Sequence, residues 1–348
     1  MPALPKHIAI HDQPAAFEAL APDWDALQAR SIGQAPYTRH DWLRACWVRH
    51  EERHDWRLHI VTATHAGRLV LALPLRARRL PFGFYTLASI DSGTPFYSDI
   101  LVEDSEDGRA AAAVAGAWLA ADRCLLKARF NYVPDGAALG LLRGTGRWYE
   151  RGRLRVGQLD LTGFASPEAF LRAQSKSFQR DVKACARLLA REGGQFRRLT
   201  TPESAQPVLD WIFATKSAQL AARGKLGAWF AAPQTRTLFS AALRDGLADG
   251  SAALFALDIG GRLVAAELVF CAGGTIYLSK SAYDPAFGQY SPGTYVRLRL
   301  IMELMAEGLQ RVDFMIGDHA WKTRLRSGTN EVRHHRLAGP LLAPFTTR

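Results

Sequence analysis

The sequence predicts an α+β fold of two tandem lobes, each a mixed β-sheet flanked by helices. Two observations lead to this prediction. Residues 58–75 and 254–270 each read as two alternating apolar runs joined at a Gly-Arg turn, Gly67-Arg68 and Gly261-Arg262, which is typical of a β-hairpin. Helix start signals occur in both halves of the chain. The internal repeat indicates two related copies in tandem; the alternative is a coincidence between two common hairpins.

Composition narrows the class of protein. The 348 residues allow two domains at roughly 100–200 residues each. Lys and Arg number 44 against 33 Asp and Glu, and the net charge of +11 favours an anionic partner. No stretch approaches about 18 apolar residues and no signal-peptide pattern is present, so we expect a cytoplasmic protein without a membrane span. The four cysteines are scattered, which argues against a disulfide framework or a thiolate zinc site.

The boundary between the lobes is expected within residues 150–157, an Arg/Gly-rich stretch that leads into the strand pattern QLDLTG. The first lobe, residues 1–153, has a helix pattern after Thr38 and an alanine-rich one over 109–121 in addition to its hairpin. The second lobe is residues 154–348.

Helices of the second lobe begin with clear signals. Ser166 and Thr201 are each followed by Pro and Glu, so that a capping hydroxyl precedes Pro at the first helical position. Pro233 opens another helix. A second hairpin turn at Gly273-Gly274 precedes a strand, a glycine-containing loop, a helix that stops at Gly308, and a last strand, RVDFMIG.

A basic face marks the helix predicted over about 167–192. Its basic residues recur every three or four positions and therefore share one face: Arg172, Lys176, Arg180, Lys183, Arg187 and Arg191. Such a face is either an ordinary solvated surface or a binding surface for phosphates or another polyanion.

The loop from Gln289 to Thr294 is a candidate anion site. A strand pattern ends at Tyr283, and Gly293 allows the backbone to approach a ligand where a helix begins. Free N–H groups and the positive end of the helix dipole favour anions at such a position.

Other motifs are weak or absent. His50 to His54 matches H-E-x-x-H, but the segment is strongly polar and lacks an evident third ligand, so no metal is expected. Neither a G-x-S-x-G nucleophile elbow nor a phosphate-binding G-x-x-x-x-G-K-[ST] loop occurs.

A set of motifs, most of them in the second half, points to a known family. They are Ala282-Tyr283-Asp284-Pro285, Tyr290-Ser291-Pro292-Gly293-Thr294, Asp313-Phe314, Gly317-Asp318, Lys322, the segments SKSFQRDVKACARL and ATKSAQLAARG, Trp24, Trp42 and Ala72-Leu73-Pro74-Leu75. Through them the chain resembles the acetyltransferase-like domain of CelD-type cellulose-biosynthesis proteins, within the Gcn5-related N-acetyltransferase (GNAT) superfamily. The resemblance is sharpest over residues 255–325, and basic-helix and first-half features extend it over most of the chain. The chain is also similar to Fem-type aminoacyl transferases, which pair two such lobes.

The resemblance implies a tandem acetyltransferase-like fold and an acyl-coenzyme A, such as acetyl-CoA, as co-substrate. Backbone donors for its pyrophosphate would come from Ser291, Gly293, Thr294 and Tyr295, with Gln289 at the start of the loop. Pro292 interrupts the usual spacing of small residues.

Direct acyl transfer needs a carboxylate that accepts the proton of the attacking amine and donors that hold the oxyanion. The candidate carboxylates are Glu267, Asp313 and Asp318; an outward-facing strand residue and a helix cap are the alternatives for Glu267 and Asp318. Lys280 and Lys322 are candidates for positive charge at an oxyanion or phosphate, or ordinary surface lysines. Substrate contacts are expected from Lys176, Arg180, Lys280 and Tyr283. Trp321 stands where relatives often carry a Tyr beside the leaving thiol, so His319, Tyr283 or water would protonate the thiolate.

The expected function is transfer of an acyl group from acyl-CoA to an amine of a small metabolite or an envelope or exopolysaccharide precursor. The first lobe is expected to be degenerate and to shape the acceptor site. Two alternatives remain open. One is a Fem-like transferase that uses aminoacyl-tRNA, whose affinity would fall steeply with salt. The other is a non-catalytic protein that binds an anionic polymer.

Overall fold

The structure is a computed structural model, and it describes residues 8–51, 55–91, 93–317 and 320–345. Packing divides the chain into two compact units. The first unit contains Met1–Arg155 and Asn330–Arg348, and the second contains Val156–Thr329. None of the helices within the described ranges is long and apolar enough to cross a membrane.

Strands and helices alternate along the chain. The strands are β1 (Ile8–His11), β2 (Arg57–His65), β3 (Arg68–Arg79), β4 (Tyr85–Ser89), β5 (Leu101–Val102), β6 (Leu125–Pro134), β7 (Arg147–Asp160), β8 (Gln195–Leu199), β9 (Ala252–Ile259), β10 (Arg262–Ala272), β11 (Thr275–Tyr283), β12 (Arg311–Asp313) and β13 (Gly328–Ala338). The helices are α1 (Pro14–Ala19), α2 (Ala21–Arg30), α3 (His40–Glu51), α4 (Glu106–Ala121), α5 (Pro167–Ala173), α6 (Lys176–Glu192), α7 (Pro202–Ala221), α8 (Ala228–Ala231), α9 (Pro233–Asp249), α10 (Pro292–Ala306) and α11 (Ala320–Leu325).

The first unit has a mixed sheet, as predicted. Its strand order is β1-β2-β3-β4-β6-β13-β7, and β5 pairs with β3. β4 and β6 are parallel, whereas β2 and β3 form the predicted antiparallel hairpin. Ala66 and Gly67 turn the hairpin with φ of 49° and 76°, the left-handed geometry that a tight two-residue turn requires.

The extent of the second unit differs from the predicted lobe. The division after Arg155 falls inside the stretch 150–157, but the predicted lobe continued to residue 348, whereas the second unit ends at Thr329. The physical reason is that β13 pairs antiparallel with β6, matching Val332 with Pro134. These pairings place the last strand in the sheet of the first unit.

The second unit also has a mixed sheet, in the order β7-β12-β11-β10-β9-β8. Alternate residues of β9, including Phe255 and Leu257, share one core with residues of α5, α6 and α10. The ring of Phe239 on α9 contacts that of Phe270 on β10, with centroids 6.4 Å apart. Val269, the residue before Phe270, belongs to the core shared with α5, α6 and α10. Successive strand residues face opposite sides of the sheet, so Phe270 and α9 lie on the other face.

The predicted helix over 167–192 is two helices rather than one. α5 ends at Ala173, and Gln174 is extended, with ψ of 156°. The hydroxyl of Ser175 then caps α6 by accepting the N–H of Phe178 at 3.2 Å. Ser166 and Thr201 cap α5 and α7 as predicted. The basic residues from Lys176 to Arg191 consequently lie on α6.

Two neighbouring parallel strands stop pairing partway along the sheet of the second unit. β11 pairs with β12 only from Thr275 to Tyr277, although β11 continues to Tyr283. On its other side, the register with β10 shifts between Lys280 and Leu278, which leaves Ser279 as a β-bulge. In sheets of this kind, ligands bind at the carboxyl ends of parallel strands where the order opens. The carboxyl end of β11 is therefore the expected position of a ligand site.

Candidate functional site

A buried ion pair lies at the centre of the site. Glu267 on β10 and Arg297 on α10 retain only 2% and 5% of their exposed surface. The Arg297 Nη2 lies 2.9 Å from Glu267 Oε2, and its Nε donates to Oε1 at 3.1 Å. Burial raises the pKa of the Glu267 carboxyl, and the Arg297 charge opposes that rise. The alternative of an outward-facing Glu267 is therefore wrong.

The aromatic ring of Trp321 covers the guanidinium of Arg297, with 3.6 Å between Arg297 Cζ and the ring centroid. Stacking of this kind favours the cation while it excludes water. Trp321 is thus engaged with Arg297, and its indole N–H is a poor proton donor for a leaving thiolate.

Three lysines interact electrostatically in this part of the second unit, and two of them act on Glu267. Lys216 on α7 and Lys322 on α11 both act electrostatically on Glu267 and on Lys280. Lys280 follows the bulge on β11, and its Nζ lies 4.9 Å from the ring centroid of Phe239. Burial, followed by the charges of Lys216 and Lys322, lowers the pKa of Lys280 to about 7. A lysine of this pKa changes charge near neutral pH, as catalytic groups often do.

The ammonium of Lys322 is bound by backbone carbonyls. Its Nζ donates to the carbonyls of Met315, Ile316 and Gly317 at 2.9, 3.2 and 2.8 Å. An ammonium has three N–H donors, so these contacts occupy all of them. Lys322 therefore fixes the segment after β12 through these three hydrogen bonds.

The other predicted carboxylates are placed differently. Asp313 on β12 is 3% exposed and accepts the N–H of Met315 at 2.7 Å and the amide of Gln158 at 3.2 Å. It holds the end of its own strand. Asp318 and His319 lie outside the described residues, as do Glu52 to His54 of the H-E-x-x-H match.

The loop from Gln289 to Thr294 forms as predicted, but most of its backbone N–H groups at the start of α10 already have an internal acceptor. Ser291 has φ of 52° and ψ of 47°, and its carbonyl accepts the N–H groups of Thr294 at 3.0 Å and Tyr295 at 3.2 Å. The Ser291 N–H donates to Gly288 at 3.0 Å. Within the part of the chain that the structure describes, the Gly293 N–H has no internal acceptor. Gln289 is exposed at the start of the loop.

Tyr283 lies against this loop. A Cβ on Gly293 would be 3.6 Å from the Tyr283 ring, and the Tyr283 side chain remains 40% exposed. Lys176 and Arg180 are exposed on α6, and among the described residues neither takes part in an ion pair. Lys322 thus acts electrostatically on both Glu267 and Lys280, and the two α6 residues lie on the surface.

Sequence reasoning missed Arg297 and Lys216. The sequence could have revealed both, because each lies one helical turn from a buried isoleucine, at a position where an apolar residue is expected. Arg297 lies one turn before Ile301, and Lys216 lies one turn after Ile212, and both isoleucines are fully buried. A charge on the apolar face of a helix usually pairs with an opposite charge.

A family model matches most of the second unit. Residues 176–323 match the model of the acetyltransferase (GNAT) domain family. This segment contains Glu267, Arg297, Lys280 and Lys322, and the match supports acyl transfer as its general chemistry. No curated protein sequence matches the chain.

Solved structures show the same fold at low sequence identity. FemX superposes with a TM-score of 0.65 and 11% identity over 96% of this chain and 98% of that one. A Bacteroides thetaiotaomicron protein of unknown function superposes with a TM-score of 0.56 and 13% identity, over 95% of this chain and 99% of that one. The C-terminal domain of a putative lysylphosphatidylglycerol synthetase from Agrobacterium fabrum superposes with a TM-score of 0.52 and 13% identity, over 96% of this chain and 95% of that one. The chain therefore shares the fold of FemX and of these two proteins.

Proposed function

We propose that the second unit transfers an acyl group, most simply acetyl, from an acyl-CoA to an amine. The observation that supports this most strongly is the buried ion pair of Glu267 and Arg297, on the strand next to the bulge of β11 and within the GNAT-matching segment. The neighbouring strand β11 carries Lys280, whose pKa of about 7 is close to neutral pH.

Glu267 would accept the proton that the amine loses as its nitrogen bonds to the thioester carbonyl carbon. A raised pKa suits a general base, because the carboxylate must hold the proton during the step. The Arg297 contact keeps the carboxylate in place. Lys280 in its ammonium form would stabilise the negative charge that develops on the carbonyl oxygen. The carbon–sulfur bond then breaks, and the thiolate takes up a proton from solvent.

The residues at the start of α10 suit the diphosphate of an acyl-CoA. The Gly293 N–H is open and lies at the positive end of the dipole of α10. The acyl-CoA supplies the activated thioester, and Tyr283 would contact it next to the loop.

The acceptor that we propose is a small amine metabolite or an envelope or exopolysaccharide precursor, which rests on the resemblance to CelD-type proteins. The Fem-like alternative, with aminoacyl-tRNA as donor, is favoured by one specific observation. Lys176, Arg180, Lys183 and Arg187 form an exposed row on α6 that could contact a phosphate backbone. That alternative predicts tRNA binding that weakens steeply between low and high salt.

Glu267→Gln tests the proposed base. We expect kcat with acetyl-CoA and an amine acceptor to fall about 10²–10⁴-fold, because Gln keeps the shape but cannot accept the proton. Asp313→Asn is the matched control, because Asp313 is similarly buried and accepts hydrogen bonds from Met315 and Gln158. This variant should retain turnover once both proteins are shown to be folded. Unchanged turnover in Glu267→Gln would overturn the assignment of the base.

A further inference from the structure

The first unit contains a cavity of its own. Its volume is about 650 Å³, within the usual range of small-molecule sites. It lies entirely within the first unit and is formed by α3, β2, β3 and the turn that leads into β4. The GNAT match does not include any of its residues. Acyl transfer in the second unit therefore does not account for it.

Aromatic side chains form much of the wall. Trp47, Trp56 and Tyr85 line the cavity and are each at most 9% exposed. The hydroxyl of Tyr85 donates to Asp122 at 2.6 Å. The guanidinium of Arg76 lies 4.4 Å from the Trp56 ring centroid. These contacts hold the rings in place before any ligand arrives, which lowers the entropic cost of binding a flat apolar molecule.

The charged part of the lining is mainly positive. Arg57 and Arg79 line the cavity and are exposed, and among the described residues neither takes part in an ion pair. Asp12 is the acidic side chain of the lining. Burial lowers the pKa of His59 to about 4, so its imidazole is neutral at pH 7 and adds no charge. An arginine fork without a carboxylate partner is suited to binding a planar carboxylate.

We propose that this cavity binds a small aromatic carboxylate. The ring would pack against Trp47, Trp56 and Tyr85, and the carboxylate would accept hydrogen bonds from Arg57 and Arg79 at the edge. The cavity would thus give the first unit a ligand site that is independent of acyl transfer, and its test does not depend on the proposed function of the second unit.

Three probes of one shape test the proposal by calorimetry on the full chain: 1-naphthaleneacetate, its neutral amide, and 1-naphthylethylamine as a cation. We expect the carboxylate to bind about ten-fold more tightly than the amide, because hydrogen bonds to a charged group are the stronger ones. Arg57→Gln together with Arg79→Gln should remove that preference and leave the weak affinity for the amide. Both arginines are exposed, so the fold should tolerate the changes.

Lys183→Gln together with Arg187→Gln is the matched control, because it removes the same charge from exposed positions of the second unit. It should keep the preference for the carboxylate. Ala77→Leu, which narrows the cavity from β3, should weaken all three probes. Equal affinity for carboxylate and amide, tighter binding of the cation, or no binding of any probe at millimolar concentration would each overturn the proposal.

Discussion

Arg297→Met is expected to lower the free energy of unfolding of the second unit by about 3–5 kcal/mol. The reason is that the change leaves Glu267 buried and without its partner, since both side chains are at most 5% exposed. For a unit of this size, each kcal/mol corresponds to about 2–4 °C in melting temperature. Thermal and urea unfolding followed by circular dichroism would measure the effect.

Two variants make this result specific. Arg299→Met removes an exposed guanidinium from the same helix, where it contacts Tyr295 and the Phe196 ring, and should cost much less. Adding Glu267→Gln to Arg297→Met removes the unpaired charge and should recover much of the loss, as expected when a buried pair is replaced as a whole. A loss in Arg297→Met no larger than that in Arg299→Met would show that the pair does not stabilise the unit.

Lys280→Met is expected to lower kcat for acyl transfer about 10²–10³-fold, because it removes the charge that stabilises the developing oxyanion. Lys280→Arg should keep a positive charge and part of the activity. The two variants differ in pH dependence. The ammonium of Lys280 is present below its pKa of about 7 and is lost above it, whereas an arginine stays charged throughout.

The ratio of kcat in Lys280→Arg to kcat in the native protein should therefore rise as the pH increases from 6 to 9. Deprotonation of the amine acceptor affects both proteins equally and cancels in the ratio. A ratio that stays flat over this range would contradict the assigned role of Lys280, as would native-like turnover in Lys280→Met.

Local signals were sufficient to predict much of the fold. The Gly-Arg hairpins and the capping residues Ser166 and Thr201 are encoded within a few neighbouring residues, and the structure confirms them. The break at Ser175 was not predicted, because the basic periodicity continues across it and a serine fits both a helix surface and a cap. The pairing of β13 with β6 was not predictable either, since it joins segments about 200 residues apart along the chain.

The site was predictable only in part, because it too depends on contacts between segments that are distant in the sequence. Glu267, Lys280 and Lys322 were identified individually, but their surroundings depend on contacts that no local pattern encodes. Arg297 meets Glu267 across 30 residues of sequence, and the bulge at Ser279 follows from the register between β10 and β11. The sequence shows that Lys322 is a lysine, and only the fold shows that three carbonyls occupy its ammonium.

Binding of acetyl-CoA by the native protein, Gly293→Ala and Gly293→Asp tests the central claim most directly. Alanine fits, because its Cβ would be in ordinary contact with Tyr283 at 3.6 Å, whereas aspartate brings a negative charge to the proposed diphosphate position. At about 100 times its dissociation constant, the ligand should stabilise the native protein and Gly293→Ala by about 2.7 kcal/mol, which thermal unfolding would record. The account predicts that this shift disappears in Gly293→Asp. No shift in the native protein, or an equal shift in all three, would contradict it.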